Sequence, residues 1–197
     1  MTHLLRALTV ALFGLMLAAC SPQPGAAGPS FAATDVTGAG YAQALTLDGT
    51  DGRPHSLTDF RGKAVVVFFG YTHCPDVCPT TLGDIAGWQE ELGDAAKDLR
   101  VFFVTVDPER DSVETLREYV SWVPGVIGVS GSPEEIAKAV KAFRIYARKS
   151  PLAGGGYNMD HSSMLLLFDR DGEYAGLIGY QEEDARALAS LRKLLGS

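Results

Sequence analysis

The most constraining feature of this 197-residue chain is an uninterrupted apolar run, Ala-Val-Val-Val-Phe-Phe-Gly at 64–70, repeated in kind by Val-Phe-Phe-Val-Thr-Val at 101–106. A strand with one wet face alternates polar and apolar residues. Runs without alternation are covered on both faces, as in the centre of a sheet with helices on either side. Two such strands separated by about thirty residues leave room for one helix between them, so the chain must build a βαβ unit.

The rest of the pattern extends that unit. Leu45 and Leu47 alternate with polar neighbours before the turn cluster Asp48-Gly49-Thr50-Asp51-Gly52, which reads as an entry hairpin. Pro79 suits a first helical turn, and Leu82, Ile85, Leu92, Ala96 and Leu99 recur near helical spacing. Asp111 with Glu114 makes a capping-box pattern for a second helix, and Ser132-Pro133-Glu134-Glu135 makes a stronger one for a third. A Gly-rich loop is expected from Ser150 to Asp160, then strands over 164–168 and 173–178 and a closing helix over 182–195. Strands alternating with helices and ending in a hairpin plus helix predict a thioredoxin-like α/β sandwich with an N-terminal β-hairpin. The fold by itself does not settle function.

The N-terminal segment is an address. After His3 and Arg6, Ala7 to Ala19 runs without a charge. That is too short for a membrane span, which needs about 20 residues, and right for the apolar core of a signal peptide. Leu17-Ala18-Ala19-Cys20 resembles a bacterial lipobox, so Cys20 is expected to be lipidated after cleavage of residues 1–19. The tether 20–40 is rich in Pro and Gly, and one domain is expected over 41–197. A periplasm-facing lipoprotein anchored to a membrane follows as the expectation.

With Cys20 set aside, two cysteines remain. Cys74 and Cys78 lie in His-Cys-Pro-Asp-Val-Cys-Pro, which joins the first buried strand to its helix, where reactive groups collect in such folds. The helix N-terminus is expected to make Cys78 more acidic than a free thiol. The pair admits a structural disulfide, a redox-active dithiol or a soft-metal site. His161, in Asp160-His161-Ser162-Ser163, precedes a later strand and is the candidate third member. Asp160 could orient it, Gly154 to Gly156 could let its loop swing, and Met159 offers a nearby soft sulfur or a packing group. Asp107 and Asp111 end the second strand, where they could approach the site or dock a partner, with capping the favoured role for Asp111. His73 is not expected to be a ligand, and His55 reads as exposed. Seventeen basic residues against 24 acidic ones, a net charge of −7, argue against nucleic acid as a partner.

Phe-Phe-Gly-Tyr-Thr-His-Cys-Pro-Asp-Val-Cys-Pro-Thr-Thr-Leu at 68–82, Val-Asp-Pro-Glu-Arg-Asp at 106–111 and Asp-His-Ser-Ser at 160–163 resemble the Sco/SenC family of copper proteins. The resemblance implies a thioredoxin-like fold and copper as Cu(I) or Cu(II), held by Cys74, Cys78 and His161. It implies a metallochaperone for the CuA centre of cytochrome c oxidase, with the oxidase copper-site subunit as partner and other periplasmic copper carriers as further ones. It also implies an alternative role, a thiol–disulfide reductase in which Cys74 and Cys78 are the redox-active pair.

Overall fold

The structure, a computed structural model, describes residues 46–56 and 62–196. The leader, Cys20 and the tether fall outside those residues. The described chain runs β1 (Leu47–Gly49), β2 (Pro54–His55), β3 (Ala64–Gly70), α1 (Val77–Leu92), β4 (Leu99–Thr105), α2 (Val113–Val120), β5 (Val126–Ser130), α3 (Pro133–Ala142), β6 (Ala147–Pro151), β7 (Tyr157–His161), β8 (Leu165–Phe168), β9 (Tyr174–Ile178) and α4 (Asp184–Leu195). Seven strands form one mixed sheet in the order β2-β1-β5-β4-β3-β8-β9. Strands β3, β4 and β5 are parallel, β8 joins β3 antiparallel, and the entry hairpin attaches through β1 to β5. No helix among the described residues is long and apolar enough to cross a membrane.

The two apolar runs are the central strands. Every residue of β3 is buried, as are six of the seven in β4. Phe68, Phe69, Phe103 and Phe168 are among the largest fully buried side chains, and Phe68 meets Phe103 edge-on with ring centroids 5.6 Å apart. Aromatic side chains of this size carry much of the burial energy of a core. Helix α1 buries Cys78, Leu82, Ile85, Trp88 and Leu92 along one stripe, and Trp88 Nε1 donates to Asp184 Oδ1 of α4 at 2.8 Å.

Several expectations are corrected. The apolar recurrence carried α1 on to Leu99, but the helix stops at Leu92. Gly93 takes φ 55° there, a 3₁₀ turn follows over Gly93–Asp98, and Leu99 opens β4. The left-handed conformation that glycine adopts freely is what breaks the run. The cap of α2 is Ser112, which accepts from the Thr115 N–H; Asp111 is fully buried and serves elsewhere. Ser132 does form the expected capping box with Glu135. The stretch 150–160 is a hairpin, β6–β7, forming a separate two-stranded sheet with Ala147 opposite His161 and Pro151 opposite Tyr157. Gly154–Gly156 belong to its turn, with Gly155 and Gly156 at φ 90° and 77°. They lie at the opposite end of the hairpin from His161, so they provide no local hinge for that residue. His55 is not free in solvent: its ring packs 5.5 Å from Phe102 and its Nε2 lies 2.6 Å from Asp51 Oδ1.

Candidate metal centre

Strand β3 delivers the chain to the site. At its carboxyl end, Gly70 lets two groups approach that no larger residue would admit. A Cβ at this position would stand 2.7 Å from Phe103 Cε2 and 2.8 Å from Cys78 Sγ. The loop from Tyr71 to Asp76 then leads into α1. It is fixed from below by the buried Asp111 carboxylate, which accepts the Thr72 N–H at 3.0 Å, the Thr72 hydroxyl at 2.6 Å and the Thr105 hydroxyl at 2.7 Å. A buried carboxylate with three donors is satisfied, and each donor it holds is held in return. Asp111 therefore acts on the cysteine loop from beneath and is not a cap.

Cys74 is half-buried, and its Sγ accepts the backbone N–H of Cys78 at 3.4 Å across the first turn of α1. Cys78 is fully buried beneath Gly70. Both are free thiols, so the structural-disulfide reading has no support here. The pair holds one ionised sulfur. The hydrogen bond from the Cys78 thiol, opposed by burial and aided by the His161 side chain and by the backbone N–H groups of Cys78 and Asp76, lowers the Cys74 pKa to about 3. The same bond, together with burial, pushes Cys78 up. The expectation that Cys78 would be the acidic one is thus reversed. The helix N-terminal N–H points at the sulfur of Cys74, and Cys78 sits where desolvation penalises charge.

His161 closes the group from the far side. Its Nε2 lies 3.7 Å from Cys78 Sγ, and its Nδ1 lies 2.8 Å from the Ser162 carbonyl oxygen. A carbonyl only accepts, so Nδ1 carries a proton and Nε2 is the nitrogen that faces the sulfurs. Tyr71 meets the imidazole edge-on at 5.7 Å. The two sulfurs and a ring nitrogen all lie within 4.8 Å of one another. Two soft sulfurs and an imidazole are donors that favour copper or zinc over a hard cation. Cys74 and His161 line an open cleft of about 410 Å³ together with Tyr146, which is 54% exposed, while Cys78 lies fully buried behind them.

The other candidates fall outside that triangle. Strand alternation puts Asp160 on the opposite face of β7, where it pairs with Arg148 at 3.7 Å, so the Ser162 carbonyl and not Asp160 orients the ring. Met159 is buried against the core and lines the cleft. His73 is exposed, with Nδ1 at 3.0 Å from the Thr72 hydroxyl. Asp107 is buried and binds Arg110 and the Tyr157 hydroxyl. Tyr71, Thr72, Arg110 and Tyr157 were not singled out from the sequence. Three of them lie in the same motifs as the cysteines and Asp107, which was the signal available.

The chain matches the SCO1/SenC family over residues 34–196. It belongs to that family. Among SCO1/SenC relatives, Protein SCO2 homolog, mitochondrial, from Mus musculus is 35% identical over 147 residues, covering 72% of this chain and 57% of that protein. The chain spans about half the length of the curated relatives it matches. Among solved structures, Bradyrhizobium japonicum ScoI with copper bound aligns at 38% identity and TM-score 0.70, covering 76% of this chain and 96% of that one. Apo Sco1 from Thermus thermophilus aligns at 35% identity and TM-score 0.73, covering 86% and 99%. The sandwich expected from the strand and helix pattern is the fold of these Sco proteins.

Proposed function

We propose that the protein binds copper through Cys74, Cys78 and His161 and hands it to the CuA centre of cytochrome c oxidase during assembly. The observation that carries this reading is the convergence of three donor atoms within 4.8 Å of one another, two of them, on Cys74 and His161, lining an open cleft. Copper bound in a Sco structure 38% identical to this chain supports the choice of metal. Cu(I) entering the site meets one thiolate already formed at Cys74 and displaces the proton of Cys78. The open cleft lets a donor from the receiving protein add before the site's own donors leave, so the ion passes by ligand exchange. The oxidase copper-site subunit is the receiver in this reading, and other periplasmic copper carriers are the source.

The test is anaerobic Cu(I) titration against a competing chelator. Wild type takes up one ion per chain. His161→Ala is expected to weaken binding about 10- to 100-fold, equivalent to about 1.4–2.8 kcal/mol. Unchanged binding would remove the imidazole from the ligand set.

The asymmetry of the two thiols supports a second reading, a thiol–disulfide reductase. The Cys74 thiolate would attack a partner disulfide and release one partner thiolate. Cys78, losing its proton, would then attack the Cys74 sulfur of the mixed disulfide and release the other. The partner disulfide is reduced to two thiols, and Cys74 and Cys78 are oxidised to a disulfide. His161→Ala should leave this exchange intact, which separates the two roles.

We read the N-terminus as a lipoprotein signal, with the mature chain anchored through Cys20 and facing the periplasm. Fatty-acid labelling that persists in Cys20→Ala would overturn it.

A further inference from the structure

The hairpin that carries His161 is outside the seven-stranded sheet, and besides the buried Met159 and the Lys149–Glu109 ion pair it is held at Tyr157, the first residue of β7. Arg110 Nη1 donates to the Tyr157 carbonyl oxygen at 3.0 Å, and its guanidinium carbon stands 3.8 Å over the Tyr157 ring centroid. Arg110 Nε donates to Asp107, and the Tyr157 hydroxyl donates to the other Asp107 oxygen at 2.8 Å. Asp107 is itself buried, with its N–H held by Thr105 Oγ1 at 2.9 Å. Arg110, Asp107 and Tyr157 therefore form a closed ring of contacts between the end of β4 and the start of β7. The same guanidinium lies 5.8 Å from the centroid of Tyr71, whose ring abuts His161. Arg110 thus reaches the imidazole by two routes, along β7 and through Tyr71, while touching none of the three donor atoms.

We propose that Arg110 is the positioning residue that sets where His161 stands, by clamping β7 to the end of β4 through Asp107 and Tyr157; this rests on the three-donor reading above. The side chain is a quarter exposed, and Asp107, Tyr157 and Tyr71, which it contacts, all lie outside the seven-stranded sheet. Its fork makes the clamp: one edge binds Asp107 and the other the Tyr157 carbonyl. A lysine would supply the charge but not both bonds.

The test is a double-mutant cycle of Arg110→Ala and His161→Ala, read by Cu(I) affinity against a competing chelator and by ¹H–¹⁵N imidazole spectra of the metal-free protein. Arg110→Ala is expected to cost about tenfold in affinity, at the lower end for residues that orient a metal ligand. It should shift or broaden the His161 ring signals, and it should cost nothing further on the His161→Ala background. Arg110→Lys should behave as Arg110→Ala. Tyr157→Phe, which deletes one hydroxyl and preserves the fold, should show a smaller loss that also vanishes without His161, and it carries the test if Arg110→Ala does not fold. Undiminished affinity in folded Arg110→Ala, an equal loss on both backgrounds, or full rescue by lysine would each overturn the proposal. If His161→Ala itself binds as wild type does, the three-donor reading fails first and the clamp falls with it.

Discussion

The sulfur donors and the imidazole stand on unlike ground. Cys74 and Cys78 follow a sheet strand buried at every residue, on a loop pinned by a fully buried carboxylate and continued by a sixteen-residue helix. His161 ends a five-residue strand of a two-stranded hairpin whose turn and outer face are exposed. The fully buried strand that leads into the cysteine loop is the kind of element that opens last, whereas a small hairpin with an exposed turn lies toward the low-stability end of the range. A site built this way can keep its dithiol constant while its third donor moves. Retention and release of a metal can then be set by different parts of one chain.

The largest effect that would sharpen this contrast is loss of a sulfur. Cys78→Ala should lower Cu(I) affinity about a thousandfold, equivalent to about 4 kcal/mol, well beyond the loss from His161→Ala. Equal losses in a competition titration would mean that the two regions contribute alike. Next comes the support under the loop. Asp111→Asn turns an acceptor of three donors into a group with two donors of its own, and should cost about 1–3 kcal/mol of stability. At about 2–4 °C per kcal/mol for a chain of this size, a thermal melt resolves it. A melt indistinguishable from wild type would show that the loop does not depend on Asp111.

Smaller still are the proton effects. Cys74 is ionised well below neutrality and Cys78 is pushed up. Alkylation of the metal-free protein should therefore modify Cys74 at a rate that stays flat from about pH 5 to 8 and falls only as pH approaches the Cys74 pKa of about 3. An ordinary thiol would lose about tenfold per pH unit over that range. At neutral pH, Cu(I) binding should release about one proton, from Cys78, measurable in weak buffer with a pH indicator. Release of two protons would mean that both sulfurs start as thiols.

The same contrast governs what could be read before any coordinates. Ala64–Gly70 and Val101–Val106 declared the central strands because burial on both faces leaves Thr105 as their one polar residue. The β6–β7 hairpin did not declare itself. Ala-Arg-Lys-Ser-Pro opposite Tyr-Asn-Met-Asp-His is too polar for a core run, and the glycines beside it looked like a loop. The three candidate donors were legible from their motifs, but which thiol is ionised was not. That depends on where the helix N–H points and how deeply each sulfur lies, and both are properties of packing. Asp111 misled because Asp111 and Glu114 imitate a capping box, while Ser112, one residue on, supplies the cap.

The pairing of Ala147 with His161 and Pro151 with Tyr157 makes β7 a ruler. Tyr157, Met159 and His161 share a face because side chains alternate, so one residue removed between the clamp and the imidazole would turn the ring to the opposite side of the hairpin. Homologous chains can therefore change the lettering between positions 157 and 161, but a frame of even spacing must survive for the ring to meet the sulfurs at all.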